Sequence, residues 1–157
     1  MTRIDEVPTA HTPVGGYGHE MPAPVLAGCT DPLLAGAPDL RGTWRVVDAS
    51  AGGVRLPADH FIWGHTERIE QAGDRVVVTG GGVVHDMVVD GTFENGVNDV
   101  MAADFATRIS VAASFEDGAL VLRPKHPAGV EVRRRRDGEH LVWTYHTLFT
   151  ARLERIA

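Results

Sequence analysis

The sequence predicts an all-β fold, an up-and-down antiparallel meander closed into a β-barrel of eight to ten strands. One observation is that short apolar runs alternate with glycine-containing turns from residue 66 onward. Another is the recurrence of Asp-Gly at 90–91, 117–118 and 137–138, which indicates hairpins because both turn residues need positive φ. Local connections between strands favour a barrel, since closure removes exposed sheet edges.

The predicted strands cover 43–48, 65–71, 74–79, 83–89, 92–98, 108–116, 119–123, 130–136, 139–146 and 149–156. Between the first two strands, Gly52-Gly53 and Pro57 leave room for at most one helical turn around His60. Residues 39–157 are therefore predicted to form the barrel domain.

Residues 1–38 are predicted to form a separate, extended arm rich in proline and glycine. Six of the nine prolines precede residue 39, and such sequence is loop or polyproline material. One interpretation is a disordered or surface-draped segment. The other is a lid or end-plug across the barrel, held by the apolar residues Tyr17, Val25, Leu26, Leu33 and Leu34.

Length, net charge and cysteine content limit the binding partners and the cellular location that are expected. A chain of 157 residues with a net charge of −6 gives no electrostatic reason to expect nucleic acid or an anionic membrane. The run Arg133–Arg136 alternates faces in a strand, so it forms no basic stripe. The single cysteine, Cys29, fits a reducing compartment. With neither a signal peptide nor an apolar run that could span a bilayer, the expected location is cytoplasmic.

The segment 39–48 contains Gly42-Thr43-Trp44 at the start of the first strand. This pattern resembles the opening strand of the calycin superfamily, the lipocalins and fatty-acid-binding proteins, and the resemblance extends over residues 39–157. It implies that Trp44 closes one end of a barrel that holds a small hydrophobic or amphipathic molecule. In the fatty-acid-binding proteins an inward Arg-x-Tyr on the last strand holds the ligand carboxylate. Arg152-Leu153-Glu154 matches only the arginine. A lipocalin-like alternative places Arg152 or Arg155 across Trp44 as a structural clasp.

Turn geometry fixes which side chains face inward. A two-residue turn at Ala72-Gly73 pairs Glu67 with Val78, and one continuous face then holds His65, Glu67, Ile69, Val76, Val78, Val84, Asp86, Val88, Phe93 and Asn95. This face is the more hydrophobic, so it is predicted to be the interior. A slip of one residue at Gly80–Gly82 would instead turn His85 and Met87 inward.

The last three strands have a face predicted by the turns at Asp137-Gly138 and Thr147-Leu148. That face holds Val130, Val132, Arg134, Leu141, Trp143, Tyr145, Thr150, Arg152 and Glu154. The candidate ligand-binding residues are Phe93, Asn95, Trp143, Tyr145, Arg152 and Glu154.

Two other functions are open. The barrel could be a cofactor-independent cyclase, isomerase or dehydratase in which His65, Glu67 and Asp86 move a proton, because a histidine held by a carboxylate is a base near neutral pH. It could also bind haem, as the calycin-like nitrobindins do, with His146 as the nearest substitute for their axial histidine. Otherwise no cofactor is expected. The histidine spacing predicts no metal site, and the oligomeric state is open.

Overall fold

The computed structural model describes residues 2–157, which form an antiparallel sheet with no α-helix in that range. A 3-10 turn spans Ile4–Glu6, and no described helix is long and apolar enough to cross a membrane. The strands are β1 (Gly42–Ala51), β2 (Val54–Arg55), β3 (Thr66–Ala72), β4 (Arg75–Gly80), β5 (Val83–Val88), β6 (Val97–Val100), β7 (Arg108–Glu116), β8 (Ala119–Pro124), β9 (Val132–Asp137), β10 (His140–Tyr145) and β11 (Phe149–Arg155). The predicted all-β meander is confirmed.

The sheet curls until its two edge strands meet. Its order is β5-β4-β3-β1-β11-β10-β9-β8-β7-β6, with β2 paired to the end of β1. Between the edges the amide of Val88 donates to the carbonyl of Asn95 at 2.8 Å, and Nε2 of His85 donates to the carbonyl of Val100 at 2.9 Å. We call this junction of β5 and β6 the seam. The barrel is not fully closed, because the seam has these hydrogen bonds but no continuous β-ladder.

Two hairpins have the predicted faces. Ile69 pairs with Val78, and Trp143 pairs with Arg134. Each register differs from the predicted one by two residues, and a shift of two leaves every side chain on its predicted face. Glu67 and Arg134 therefore both point into the barrel.

The β4–β5 hairpin contradicts the predicted interior face. Val78 pairs with His85 and Val76 with Met87, so His85 and Met87 face inward while Asp86 faces outward. The reason is that Gly80 belongs to β4 and leaves only Gly81-Gly82 in the turn. A Cβ on Gly80 would lie 2.8 Å from Cβ of Glu67, so glycine is needed there for strand approach and not for turning.

The β10–β11 hairpin is also displaced by one residue. Tyr145 pairs with Phe149 across a three-residue loop in which His146 has φ of +48°, so the predicted turn at Thr147-Leu148 is wrong. Arg152 and Glu154 consequently lie on the outer face, and the inner face of β11 carries Phe149, Ala151 and Leu153. This register buries an apolar row and leaves both charges in water.

The predicted strand 92–98 is mostly a loop. The carboxylate of Asp90 accepts hydrogen bonds from the Thr92 amide at 2.9 Å and from the side chain of Asn95 at 2.7 Å. These bonds close a turn, and β6 begins only at Val97. Phe93 and Asn95 are exposed on this turn, so their predicted interior position is wrong.

One end of the barrel is closed around Trp44, which is fully buried. Its Nε1 donates to the carbonyl of Leu40 at 2.9 Å, and Cζ of Arg155 lies 5.0 Å from the ring centroid. Gln71 ties down the closing segment, since its Oε1 accepts from the Leu40 amide at 2.6 Å. The structural clasp is thus formed by Arg155, with Arg136 at 5.4 Å from the same ring, and not by Arg152.

The arm packs on the outer face of β3–β5 rather than across a barrel end. A small apolar cluster joins it to the sheet, formed by Ile4, Val7, Ala10, Tyr17, Val25, Leu26, Cys29, Ala72, Val77 and Val84. A buried ion pair holds the arm beside this cluster. The guanidinium of Arg75 binds the carboxylate of Asp86 and donates to the carbonyls of Ile4, Val7 and Pro8.

Candidate functional site

A buried ionic cluster lies inside the barrel where β3 faces β9. Nε and Nη2 of Arg134 donate to the two carboxylate oxygens of Glu67 at 2.7 and 3.2 Å. Nε2 of His65 lies 2.8 Å from Oε1 of Glu67, and an ionised carboxylate can only accept, so this nitrogen is the donor. The Glu67 side chain is 0% exposed and that of Arg134 is 7% exposed.

The cluster keeps Glu67 ionised. Burial alone would raise the pKa of Glu67, but the charge of Arg134 and the hydrogen bonds from His65 and Arg134 lower it to about 2. On β5, at the seam, burial lowers the pKa of His85, and the hydrogen bond to the Val100 carbonyl partly offsets this lowering. His85 is therefore neutral at neutral pH, and the Glu67 carboxylate lies against the Arg134 guanidinium.

Trp143 lies directly against this cluster. Its ring centroid is 4.8 Å from that of His65 and 4.9 Å from Cζ of Arg134. Its Nε1 is buried and has no hydrogen-bond partner among residues 2–157. An unpartnered buried donor costs about 1–3 kcal/mol, so such a group in a folded protein calls for an explanation.

Beyond Trp143 an aromatic group opens towards solvent. We call it the aromatic mouth, and its members are His60, Phe61, Trp143, Tyr145 and Phe149. Phe149 stands edge-on to Trp143, with centroids 5.2 Å apart at 88°, and stacks on Tyr145 at 5.5 Å. Phe61 is 75% exposed. The mouth is held by the residue 56–65 turns and by the β10–β11 hairpin, at the opposite end of β1 from Trp44.

The structure brings together four of the candidate residues named from the sequence, His65, Glu67, Trp143 and Tyr145, at this end of the barrel. Asp86 lies on the other side of the sheet under the arm, so a His65–Glu67–Asp86 group does not form. Arg152 pairs outside with Asp137 at 2.8 Å, and Glu154 pairs outside with Arg45.

The sequence reasoning missed Arg134 and Phe149 as site residues. Arg134 was placed on the inner face but given no partner there. The predicted turn at Thr147-Leu148 would point Phe149 outward, whereas the observed register of β11 points it inward. The usable signal was that a charge inside a barrel needs an opposite charge, and Glu67 was already assigned to the same interior.

A cleft of about 280 Å³ lies at the seam, between the arm and the barrel. Its lining includes Ala10 and His11 of the arm, the Arg75–Asp86 ion pair, and Met87, which also belongs to the hydrophobic core of the barrel. Asn95 lines it on the β6 side. Asp86 and Asn95 therefore meet at this cleft and not in the aromatic mouth.

No group of three His, Cys, Asp or Glu side chains among residues 2–157 is arranged to hold a metal ion. His146 lies in the exposed β10–β11 loop, where it lacks the apolar surroundings of a haem axial ligand. The inward histidines His65 and His85 already use Nε2 for Glu67 and the Val100 carbonyl. These residues do not fit a haem.

No family model and no curated protein matches this sequence.

Proposed function

We propose that this protein binds a small amphipathic molecule, with the polar head of the ligand on Trp143 and Arg134 and its apolar part in the aromatic mouth. The observation that carries the proposal is the buried, unpartnered Nε1–H of Trp143. A ligand oxygen would supply the missing acceptor. The calycin resemblance, which the barrel and the Trp44 closure are compatible with, favours the same kind of ligand.

The head group that fits best is anionic or strongly polar. Nε and Nη2 of Arg134 bind Glu67, which leaves Nη1 for a ligand. An indole N–H and a guanidinium N–H together would bind a carboxylate, an enolate or a sulfonate, and hydrogen bonds to charged groups are the stronger kind. Arg134 thus takes the role that the resemblance gave to Arg152.

The apolar part of the ligand would pack between Tyr145, Phe149 and Phe61. Burial of an aromatic ring that is now 75% exposed would add hydrophobic stabilisation to the complex. We also propose a cytoplasmic location, because the one cysteine fits a reducing compartment.

The test is titration with 1-anilinonaphthalene-8-sulfonate, an aromatic probe with an anionic head. We expect Trp143→Phe, which keeps a ring but removes the N–H, to weaken binding by about tenfold or more. Trp63→Phe is the matched control, since Nε1 of Trp63 already donates to the Pro57 carbonyl at 2.8 Å. Equal affinity in Trp143→Phe and the wild type, or no binding to either, would contradict the proposal.

A second candidate function is proton transfer without a cofactor. It is favoured by the His65–Glu67 pair, because Glu67 holds Nε2 and leaves Nδ1 of a neutral imidazole as a base. Asp86 has no part in it. Mass spectrometry and chromatography of a bound amphiphilic enone would distinguish the two: unaltered recovery supports binding alone, whereas isomerisation that is lost in His65→Gln supports an enzyme.

A further inference from the structure

The edge of β5 at the seam is completed by a side chain of the arm. The amide of Val84 donates to Oγ1 of Thr12 at 2.9 Å, and the same hydroxyl lies 3.4 Å from the carbonyl of Val84. One threonine hydroxyl thus satisfies the donor and the acceptor that a neighbouring strand would otherwise occupy. The Thr12 hydroxyl therefore protects this part of the β5 edge from pairing with another strand.

The same stretch of the arm is fastened to β6. The amide of Thr12 and Nδ1 of His11 both bind Oδ2 of Asp99, at 3.1 and 3.2 Å. One residue earlier, the amide of Ala10 donates to Oδ2 of Asp86 on β5 at 2.8 Å. Residues 9–12, which we call the strap, therefore connect the two edge strands from outside.

The strap is held to the barrel mainly by hydrogen bonds, whereas the rest of the arm is held mainly by apolar packing. Its contacts to the seam are hydrogen bonds that water can replace, and the His11 side chain is 61% exposed. Within the strap only Ala10 packs against the apolar cluster, and the larger apolar side chains of the arm lie before and after it, at Ile4 and Val7 and at Val25 and Leu26. The strap can therefore lift while both neighbouring parts of the arm stay packed.

Below the strap, few hydrogen bonds join β5 to β6. The cleft of about 280 Å³ is lined by residues of the strap and by Met87 of β5, and Met87 also belongs to the hydrophobic core of the barrel. Across the seam, β5 and β6 are joined by the Val88–Asn95 and His85–Val100 bonds. Loss of the strap would remove the Thr12 connection and uncover this cleft.

We propose that the strap is a releasable cover and that the seam beneath it is a lateral entrance to the barrel interior, separate from the aromatic mouth. The opening of the strap stands independently of any ligand. Use of the seam by an amphiphile rests on the proposed function.

Native-state hydrogen exchange by NMR tests the opening. We expect the amides of Ala10, Thr12 and Val84 to exchange through one local opening, much faster than the amides of β1 and β11. Thr12→Val keeps the shape of the side chain and removes the hydroxyl. It should speed exchange at Val84 by about tenfold, the equivalent of one lost hydrogen bond, and leave β1 and β11 unchanged.

The matched control is Glu70→Gln, because the Glu70 carboxylate binds the amides of Val25 and Leu26 at 3.1 and 2.8 Å, elsewhere on the arm. It should speed exchange at those two amides and not at Val84. Exchange of Val84 as slow as that of β1 in the wild type, no change in Thr12→Val, or an equal effect of Glu70→Gln would overturn the strap as a separate moving unit.

Stopped-flow binding of 1-anilinonaphthalene-8-sulfonate tests the entrance. A gate variant changes the barrier and not the end states, so Thr12→Val should raise kon and koff by the same factor and leave Kd unchanged. Faster exchange at Val84 with unaltered kon and koff would overturn the entrance. If the probe binds nowhere, the proposed function and the entrance fail together, while the exchange result still decides whether the strap opens.

Discussion

Glu67→Gln keeps the shape of a fully buried side chain and removes the charge that faces Arg134. The two residues are 0% and 7% exposed and make two hydrogen bonds, so the variant would leave a guanidinium buried beside a neutral amide. Loss of one partner of a buried ion pair costs about 3–5 kcal/mol. Because the amide oxygen still accepts one bond, we expect a loss of about 3 kcal/mol in the free energy of unfolding at pH 7.

The loss should depend on pH in a direction set by Glu67. Its pKa falls from 4.5 to about 2 on folding, so the folded state binds this proton less well than the unfolded state. The stabilisation from Glu67 is therefore full above about pH 4.5 and is lost as the pH falls towards 2. The difference between the wild type and Glu67→Gln should be constant near neutral pH and should shrink through this acid range.

Urea unfolding followed by tryptophan fluorescence, repeated from pH 7 to pH 3, would measure this difference. Glu116→Gln is a matched control, because Glu116 also binds an arginine, Arg123, but lies at the surface, where an ion pair adds little stability. A Glu67→Gln loss no larger than that of Glu116→Gln, or a difference that does not change with pH, would refute the buried pair as a stabilising feature.

Two further predictions concern the closed end of the barrel and are measured by the same unfolding experiment. Trp44→Ala should lose about 3–5 kcal/mol, since it removes a fully buried indole and its bond to Leu40, and a loss under about 1 kcal/mol would show that this residue does not close the barrel. Arg155→Met should lower the free energy of unfolding by about 1–2 kcal/mol, because Arg155 covers Trp44 and donates to the Arg41 carbonyl. The matched control Arg152→Met should change it by less than about 0.5 kcal/mol, since Arg152 pairs with Asp137 at the surface. Equal effects of the two substitutions would contradict the assignment of the clasp to Arg155.

The fold could be predicted because it is specified by local signals. Alternation of apolar residues identifies strands, and Asp-Gly or Gly-Gly between them identifies hairpins, so nearly every strand was located from the sequence. The strand at residues 108–116 has the predicted bounds. The strand at 92–98 failed because Asp90 uses its side chain to close a turn over Thr92 and Asn95, which periodicity does not reveal.

Which side chains of β5 and β11 point into the barrel could not be predicted as reliably as the positions of the strands. A turn that is one residue longer or shorter reverses every side chain that follows it. At residues 80–82 three glycines look alike in sequence, but Gly80 is required by the close approach of Glu67, a contact on another strand. At the β10–β11 loop, His146 adopts a positive φ that non-glycine residues seldom adopt.

The candidate site shows how such an ambiguity could be reduced. Glu67 and Arg134 were both placed inward from sequence, since the errors in their hairpins were even numbers of residues. A carboxylate inside a barrel is costly unless a cation lies beside it, and Arg134 is an arginine that the sequence places on the inner face. Had Arg152 and Glu154 also faced inward, the interior would have held two further charges. The charge balance therefore favours Arg134 as the partner of Glu67 and an outward face for Arg152, the arrangement that the β10–β11 register produces.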